Sequence, residues 1–190
     1  MPEKPARSLA VVWMIVALCV APVAASYLAY YFWLPTRQVN YGELIEARTL
    51  PPARLRLADG SDFAFERLRG KWILLMVHGG ACDGRCPDKL FALRQLRLTQ
   101  GREMNRIERV WLIEDAQLPA PEAVAPFEGT WLVKAAGSAV LQTLPAAQQP
   151  ADYLYIVDPL GNLVMRYAHD ADPARIIKDI AWLLKASRIG

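Results

Sequence analysis

Two cysteines, Cys82 and Cys86, are the residues of this chain whose type and spacing best suit chemistry. As thiolates they attack disulfides or bind soft metal ions such as Cu(I). An i, i+4 separation also allows a structural disulfide. Three roles are therefore open: thiol–disulfide exchange, copper binding, or a bond that only stabilises the fold. The third cysteine, Cys19, lies in an apolar stretch, where a thiol behaves as a small hydrophobic group.

The cysteine pair lies between a predicted strand and a predicted helix. Residues 72–77 are a continuous apolar run, which is typical of a strand covered on both faces. His78 and two glycines follow as a turn, and Pro87 suits the first position of a helix over 87–100. Unpaired N–H groups at the start of that helix, together with Arg85, should favour thiolate.

The helix over 87–100 has a mixed pattern of apolar and basic residues. Its apolar positions predict the face that packs on the core, and its basic positions predict a solvated face. We expect Leu90, Phe91, Leu93 and Leu96 to point inward, and Lys89, Arg94 and Arg97 to point largely outward.

Strands and helices alternate through the rest of the soluble part, which predicts an α/β fold. The expected architecture is thioredoxin-like: a central mixed sheet flanked by helices, over residues 53–190, with 38–52 as a linker or a peripheral strand. The other predicted elements are a hairpin around Asp59-Gly60, a strand at 110–113, a short helix at 137–144, a hairpin over 153–167 and a last helix opened by Asp172 and Pro173.

The N-terminal region, residues 1–37, predicts a cytoplasmic N-terminus and a transmembrane anchor. No charged residue occurs between Arg7 and Arg37, and residues 9–34 are mostly apolar, long enough for a hydrocarbon core of about 30 Å. The apolar run continues past the small residues at 23–25, which favours an uncleaved anchor over a signal peptide. Because Lys4 and Arg7 precede the span, we expect the domain in the bacterial periplasm or the mitochondrial intermembrane space.

Three segments carry a resemblance to a known family: 70–75 (GKWILL), 82–87 (CDGRCP) and 155–161 (YIVDPLG). They resemble the Sco (SenC) family, thioredoxin-like copper proteins that help to assemble cytochrome c oxidase. The resemblance covers the chain from Arg54 onward and includes the single N-terminal anchor. It implies Cys82 and Cys86 as site residues, copper as a ligand, and a cytochrome c oxidase subunit or another copper-site protein as partner.

The chain departs from this family at the third copper ligand. The family has a histidine shortly before the hairpin strand, and the matching position here is about Pro150, with no histidine nearby. Pro150 instead suits the proline that borders the active site in many thioredoxins. His78, four residues before Cys82, is the candidate replacement ligand, whereas His169 is expected in a solvated loop.

The composition and motifs exclude several functions. The net charge of +3 is spread along the chain and forms no basic cluster of the kind that binds nucleic acid. No Gly-rich phosphate loop, H-E-x-x-H or G-x-S-x-G occurs, so nucleotide binding and hydrolase activity have no support. We therefore expect a membrane-anchored Sco-like assembly factor that acts by thiol–disulfide exchange, with no cofactor required. The alternatives are a Cu(I) metallochaperone using the same cysteines and a non-catalytic thioredoxin-like interaction module with a structural disulfide.

Overall fold

A computed structural model describes residues 7–32 and 40–187, which belong to two separate compact units divided between residues 39 and 40. The first unit contains one helix, α1 (Arg7–Phe32), whose stretch Leu9–Phe32 is long and apolar enough to cross a membrane. The predicted apolar anchor is thus a continuous helix. Lys4, Leu34 and Arg37, on which its predicted end and orientation also depend, lie outside the described residues.

The second unit is built on one sheet of eight strands. The strands are β1 (Glu43–Thr49), β2 (Leu55–Leu57), β3 (Asp62–Phe63), β4 (Trp72–His78), β5 (Ile107–Ile113), β6 (Thr130–Lys134), β7 (Tyr153–Val157) and β8 (Asn162–Ala168). The helices are α2 (Cys86–Leu98), α3 (Pro121–Val124), α4 (Ala139–Thr143) and α5 (Pro173–Ala186), with 3₁₀ turns at Phe65–Leu68, Gly101–Arg106, Ala125–Phe127 and Pro150–Asp152.

The sheet is mixed, as predicted. Its order is β1-β8-β7-β4-β5-β6-β2-β3, in which β4, β5 and β6 run parallel and the remaining pairs are antiparallel. The predicted class, a central mixed sheet flanked by helices and preceded by one apolar helix, is therefore confirmed. Parallel neighbours place the carboxyl ends of β4 and β5 at one edge, where the cysteines follow.

The central strand β4 is buried on both faces because the sheet has a core on each side. Leu74 and Met76 face the core that includes α2 and α5, whereas Leu75 and Val77 face the core that includes α4. Alternate side chains of a strand point to opposite faces, so each face contributes its own apolar set. This arrangement explains the continuous apolar run of the sequence.

Strands β1 and β6 lie in segments for which the sequence predicts either two alternatives or no element at all. Residues 38–52, predicted as a linker or a peripheral strand, supply β1, which pairs with β8 at an edge of the sheet. The buried carboxylate of Asp179 in α5 accepts hydrogen bonds from the backbone N–H groups of Tyr41 and Gly42, both at 2.8 Å. The compact unit that contains the sheet begins at residue 40. Strand β6 lies in the stretch that the sequence left unassigned.

Candidate functional site

Cys82 and Cys86 form a disulfide at the start of α2, with their Cα atoms 5.0 Å apart. Cys86 is the first residue of the helix, and Cys82 belongs to the turn that follows β4. The two cysteines differ in burial: Cys86 is 0% exposed, whereas Cys82 retains 9% exposure. Cys82 is therefore the less deeply buried member of the pair.

The turn that carries Cys82 is held in an unusual backbone conformation. Cys82 has a φ of 49°, in the left-handed region that residues other than glycine rarely adopt. Its N–H donates to the Gly79 carbonyl at 3.2 Å, and the N–H of Cys86 donates to the Asp83 carbonyl at 3.0 Å. Backbone strain of this kind collects at functional sites, where the surrounding structure maintains it.

Tight packing fixes the turn against the loop after β5. The N–H of Gly80 donates to the Asp115 carboxylate at 2.9 Å. A Cβ on Gly80 would overlap the Gln117 carbonyl, and a Cβ on Gly79 would come within 2.6 Å of the Asp115 carboxylate. Gly80 is thus required by its close approach to the backbone at Gln117, and the loop at 115–117 packs directly on the turn that carries Cys82.

His78 lies at the end of β4 and is partly buried. Its carbonyl accepts hydrogen bonds from the indole N–H of the buried Trp111 at 3.1 Å and from the N–H of Glu114 at 3.2 Å. Its ring Nδ1 is 3.3 Å from the Gly79 carbonyl. The backbone of His78 therefore has a structural function, and its ring is placed against the Gly79 carbonyl.

Arg85, between the cysteines, connects the turn to the segment before β7. Its Nη2 is 2.7 Å from Oδ1 of Asp152, which lies 67 residues later in the chain. The hydrogen bond from Arg85 holds the pKa of the Asp152 carboxyl below its usual value. The 3₁₀ turn Pro150–Asp152 therefore borders the cysteine loop, at the position where the resemblance predicts a histidine.

Lys89 is buried beside the cysteines, and the prediction that it points outward is wrong. It is 4% exposed, and its Nζ donates to the carbonyls of Val77 and Ala151, both at 2.6 Å. Burial, followed by the nearby charge of Arg85, lowers its pKa from 10.5 to about 8. The spacing of residues could have predicted this burial. Lys89 lies three residues after Cys86 and four before Leu93, on the face of α2 that packs on the core.

Phe91 is a second exception on α2. The sequence predicts it in the core, but its side chain is 56% exposed. Leu90, Leu93 and Leu96 are buried, as predicted. The inward face of the helix is therefore made of Cys86, Lys89, Leu90, Leu93 and Leu96.

His169 lies near the site through Asp152. Its backbone N–H donates to the Asp152 carbonyl at 2.9 Å, and its ring is exposed. The described residues contain no group of three or more His, Cys, Asp or Glu side chains placed to hold a metal ion. The two sulfurs are thus brought together, while His78 and His169 are not joined to them.

A redox-capable cysteine pair, placed between a buried central strand and the first turn of a helix, defines a thioredoxin-like protein. The family described as transmembrane-like, thioredoxin-like, C-terminal domain matches residues 72–187, from β4 to the end of α5. The chain belongs to this family. A comparison with curated proteins gives no match.

Solved structures of Sco proteins share the fold. Yeast Sco1 with copper bound is 18% identical, with a TM-score of 0.62 over 75% of this chain and 96% of that one. Apo Sco1 from Thermus thermophilus is 18% identical, with a TM-score of 0.58 over 80% and 98%. BsSco, a Sco-family cytochrome c oxidase assembly protein with a disulfide switch, is 15% identical, with a TM-score of 0.55 over 80% and 100%. The predicted likeness to Sco proteins is thus confirmed in the fold.

Proposed function

We propose that this chain is a membrane-anchored, Sco-like factor for cytochrome c oxidase assembly that acts by thiol–disulfide exchange through Cys82 and Cys86. One observation carries the proposal: the disulfide lies at the first turn of α2, with Cys86 fully buried and Cys82 retaining 9% exposure. A pair in which one residue is less deeply buried suits exchange, because a partner attacks one sulfur while the other leaves as thiolate.

The exchange proceeds through a mixed disulfide. When the pair is reduced, the Cys82 thiolate attacks a partner disulfide, forms a new S–S bond and releases one partner cysteine as thiolate. Cys86 then attacks Cys82, closes the Cys82–Cys86 bond and releases the second partner thiolate. The partner gains two electrons and two protons, and a dithiol protein on the same side of the membrane must restore the reduced pair.

The charges beside the pair favour this chemistry. Arg85 lies between the cysteines, and the buried Lys89 lies one helical turn after Cys86 in α2. Both cations favour thiolate over thiol, and both repel an incoming metal cation. This electrostatic environment ranks thiol–disulfide exchange above copper binding.

The proposed location is the outer side of the inner membrane, with the N-terminus cytoplasmic and the domain in the periplasm or, in a mitochondrion, the intermembrane space. Two observations support it: the apolar helix α1 and a disulfide in the domain. Disulfides form and persist in oxidising compartments and are rare in the cytosol. The proposed targets in such a compartment are the cysteines of the copper site in an oxidase subunit.

A redox equilibrium tests the proposal directly. The full chain, in detergent, is equilibrated with glutathione buffers of graded potential, and the state of the Cys82–Cys86 pair is read by alkylation and mass spectrometry. A working pair exchanges within the range of such buffers, whereas a structural disulfide resists them. Resistance would support the alternative of a non-catalytic interaction module.

A cellular assay tests the biological role. Cys82→Ser and Cys86→Ser are each expected to abolish oxidase assembly while leaving the fold intact. Cys19→Ser is the matched control, because Cys19 is an exposed thiol in α1 and takes no part in the disulfide. Normal oxidase assembly in both site variants would remove the redox proposal and the copper alternative together.

Copper handling is the second candidate function, supported by the same pair of sulfurs. Two thiolates suit Cu(I), which enters here as cargo. The disulfide must first be reduced to supply them, and His78 is the proposed third ligand because it ends the strand that precedes the cysteines. Anaerobic Cu(I) titration of the reduced full chain, against a competing chelator, tests this function.

The copper titration has its own set of variants. Tight, stoichiometric Cu(I) binding that is lost in the double variant Cys82→Ser/Cys86→Ser would favour copper handling over thiol–disulfide exchange as the function. A contribution of His78 predicts weaker binding in His78→Ala than in His169→Ala. Full binding by both histidine variants would remove histidine from the site.

A further inference from the structure

A buried lysine lies on the face of α2 that carries Cys86. Lys89 is three residues after Cys86 on α2, so that both side chains lie on the same face of the helix. Its Nζ is 2.6 Å from the carbonyl at Val77, near the end of β4, and 2.6 Å from that of Ala151, in the 3₁₀ turn before β7. These two contacts fix the ammonium between the three segments that surround the disulfide.

We propose that Lys89 is a positioning residue that stabilises the thiolate of Cys86 and thereby sets the reduction potential of the Cys82–Cys86 pair. The inference rests on the proposed thiol–disulfide exchange and deepens it. Cys86 is fully buried, so water cannot solvate its thiolate. A fixed cation one turn away supplies the stabilisation that solvent cannot.

The effect of Lys89 on the pair follows from where the electron pair goes when the disulfide opens. When a partner thiolate attacks Cys82, the Cys82–Cys86 bond breaks, its electron pair stays on Cys86, and Cys86 leaves as thiolate. A leaving thiol with a lower pKa leaves faster. Lys89 therefore accelerates opening of the disulfide and stabilises the reduced pair, which speeds restoration of the dithiol and makes the pair a milder reductant than it would be without this charge.

Other charges around Lys89 set its own proton affinity. Desolvation is the largest influence on the pKa of Lys89 and, together with Arg85, disfavours the ammonium, whereas Glu114 and Asp152 favour it. Arg85 is itself paired with Asp152 at 2.7 Å. The ammonium is the predominant form below its pKa of about 8, and its two carbonyl acceptors require it as a donor.

The thiol pKa of Cys86 tests the proposal. It is read from thiolate absorbance in the full chain in detergent, in a Cys19→Ala/Cys82→Ser background in which Cys86 is the only thiol. Lys89→Met should raise this pKa by about 1 or more, the usual effect of removing a neighbouring opposite charge. Lys89→Arg should keep it near the parent value, and Lys178→Met, the same change at an exposed position, should leave it unchanged.

The reduction potential gives a second readout. In chains that retain both cysteines, Lys89→Met should shift the equilibrium with glutathione at least tenfold toward the disulfide, which is about 30 mV more negative. An unchanged Cys86 pKa and potential in a folded Lys89→Met chain would overturn the proposal. A wild-type disulfide that does not exchange at all would instead defeat the proposed function, while the Cys86 titration would still decide the influence of Lys89.

A measurement on the unsubstituted chain covers the case in which Lys89→Met does not fold. The pKa of Lys89, followed by NMR of isotope-labelled lysine, should be higher in the reduced chain than in the oxidised one, because a thiolate then faces the ammonium. The same pKa in both states would mean that Lys89 only clamps the two carbonyls, and the proposal would be wrong.

Discussion

At the scale of single residues, the cysteine pair is asymmetric. Cys82 retains some exposure in a strained turn, whereas Cys86 is closed in the core at the first residue of α2. A partner thiol or disulfide must therefore meet Cys82 first. Cys86, behind it, is placed to resolve the intermediate.

This asymmetry predicts a trapping experiment. Cys86→Ser should accumulate a mixed disulfide between Cys82 and a partner, since no second thiol remains to release it. Cys82→Ser should accumulate far less, because the remaining thiol is buried. Non-reducing electrophoresis of membranes from cells that express each variant measures the adduct, and Cys19→Ser serves as control. Equal trapping by the two variants would contradict the assigned order of attack.

Lys89 predicts a pH dependence of stability. Burial lowers its pKa from 10.5 in the unfolded chain to about 8 in the folded one. Between these values the unfolded state binds more protons, so the free energy of unfolding should rise with pH, by on the order of 3 kcal/mol in all. Below about pH 8 the lysine is charged in both states and this slope vanishes.

Urea unfolding of the full chain in detergent, repeated across this pH range, measures the slope. Tyr155 and Tyr167, whose pKa values burial raises, oppose the effect at the alkaline end, so the comparison is between variants. Lys89→Met should lose the rise and Lys178→Met should retain it. If the free energy of unfolding changed with pH in the same way in the unsubstituted chain and both variants, burial would not lower the pKa of Lys89.

At the scale of elements, the site depends on the contact between two loops. The turn after β4 carries the cysteines, and the loop after β5 packs on it so closely that a Cβ at Gly80 would overlap the Gln117 carbonyl. Because β4 and β5 are parallel neighbours, both loops leave the sheet at the same edge. The position of Cys82 is therefore set by two elements rather than by its own turn alone.

Gly80→Ala tests this dependence. We expect it to lower the free energy of unfolding by about 1 to 3 kcal/mol, as overpacking does, and to change the rate of disulfide exchange. Gly60→Ala is the control for the exchange rate, because the turn at Gly60 joins β2 to β3, far along the sheet. A Cβ there meets open space, so its strain comes only from the positive φ of 88°. Chemical denaturation and alkylation kinetics measure both properties. A stable Gly80→Ala chain with unchanged exchange would show that the loop contact has no influence on the site.

At the scale of the whole molecule, an apolar helix and a thioredoxin-like unit occupy one chain. Residues 9–32 are suited to a membrane span, and residues 40–187 contain the sheet and both site cysteines. If the proposed anchoring is correct, the domain meets only partners at the same membrane surface, as the proposed role in oxidase assembly requires.

The proposed topology gives a prediction for the intact protein. A C-terminal alkaline phosphatase fusion should be active in a bacterial host, and a C-terminal green fluorescent protein fusion should be dark, because the domain is exported. The chain should also resist extraction from membranes by alkaline carbonate. Deletion of residues 1–37 should abolish both membrane association and export. Reversed activities of the two fusions would place the domain in the cytoplasm and remove the proposed location.

The sequence by itself determined the features that depend on neighbouring residues. Continuous apolar runs predicted α1 and β4. The spacing of Cys82 and Cys86 allowed their disulfide, and Asp172 before Pro173 predicted the start of α5. Local periodicity and capping contain this information, because the atoms concerned lie within one or two turns of each other.

Only the tertiary structure decided the environment of the site. The sequence predicts an exposed Lys89, but the carbonyls of Val77 and Ala151, from two other segments, accept hydrogen bonds from its ammonium in the core. The pairing of Arg85 with Asp152 and the closure of Cys86 likewise require α2 to be docked on the sheet. Burial and charge at a site are set by residues distant in the sequence, and these long-range contacts convert two well-spaced cysteines into an asymmetric pair.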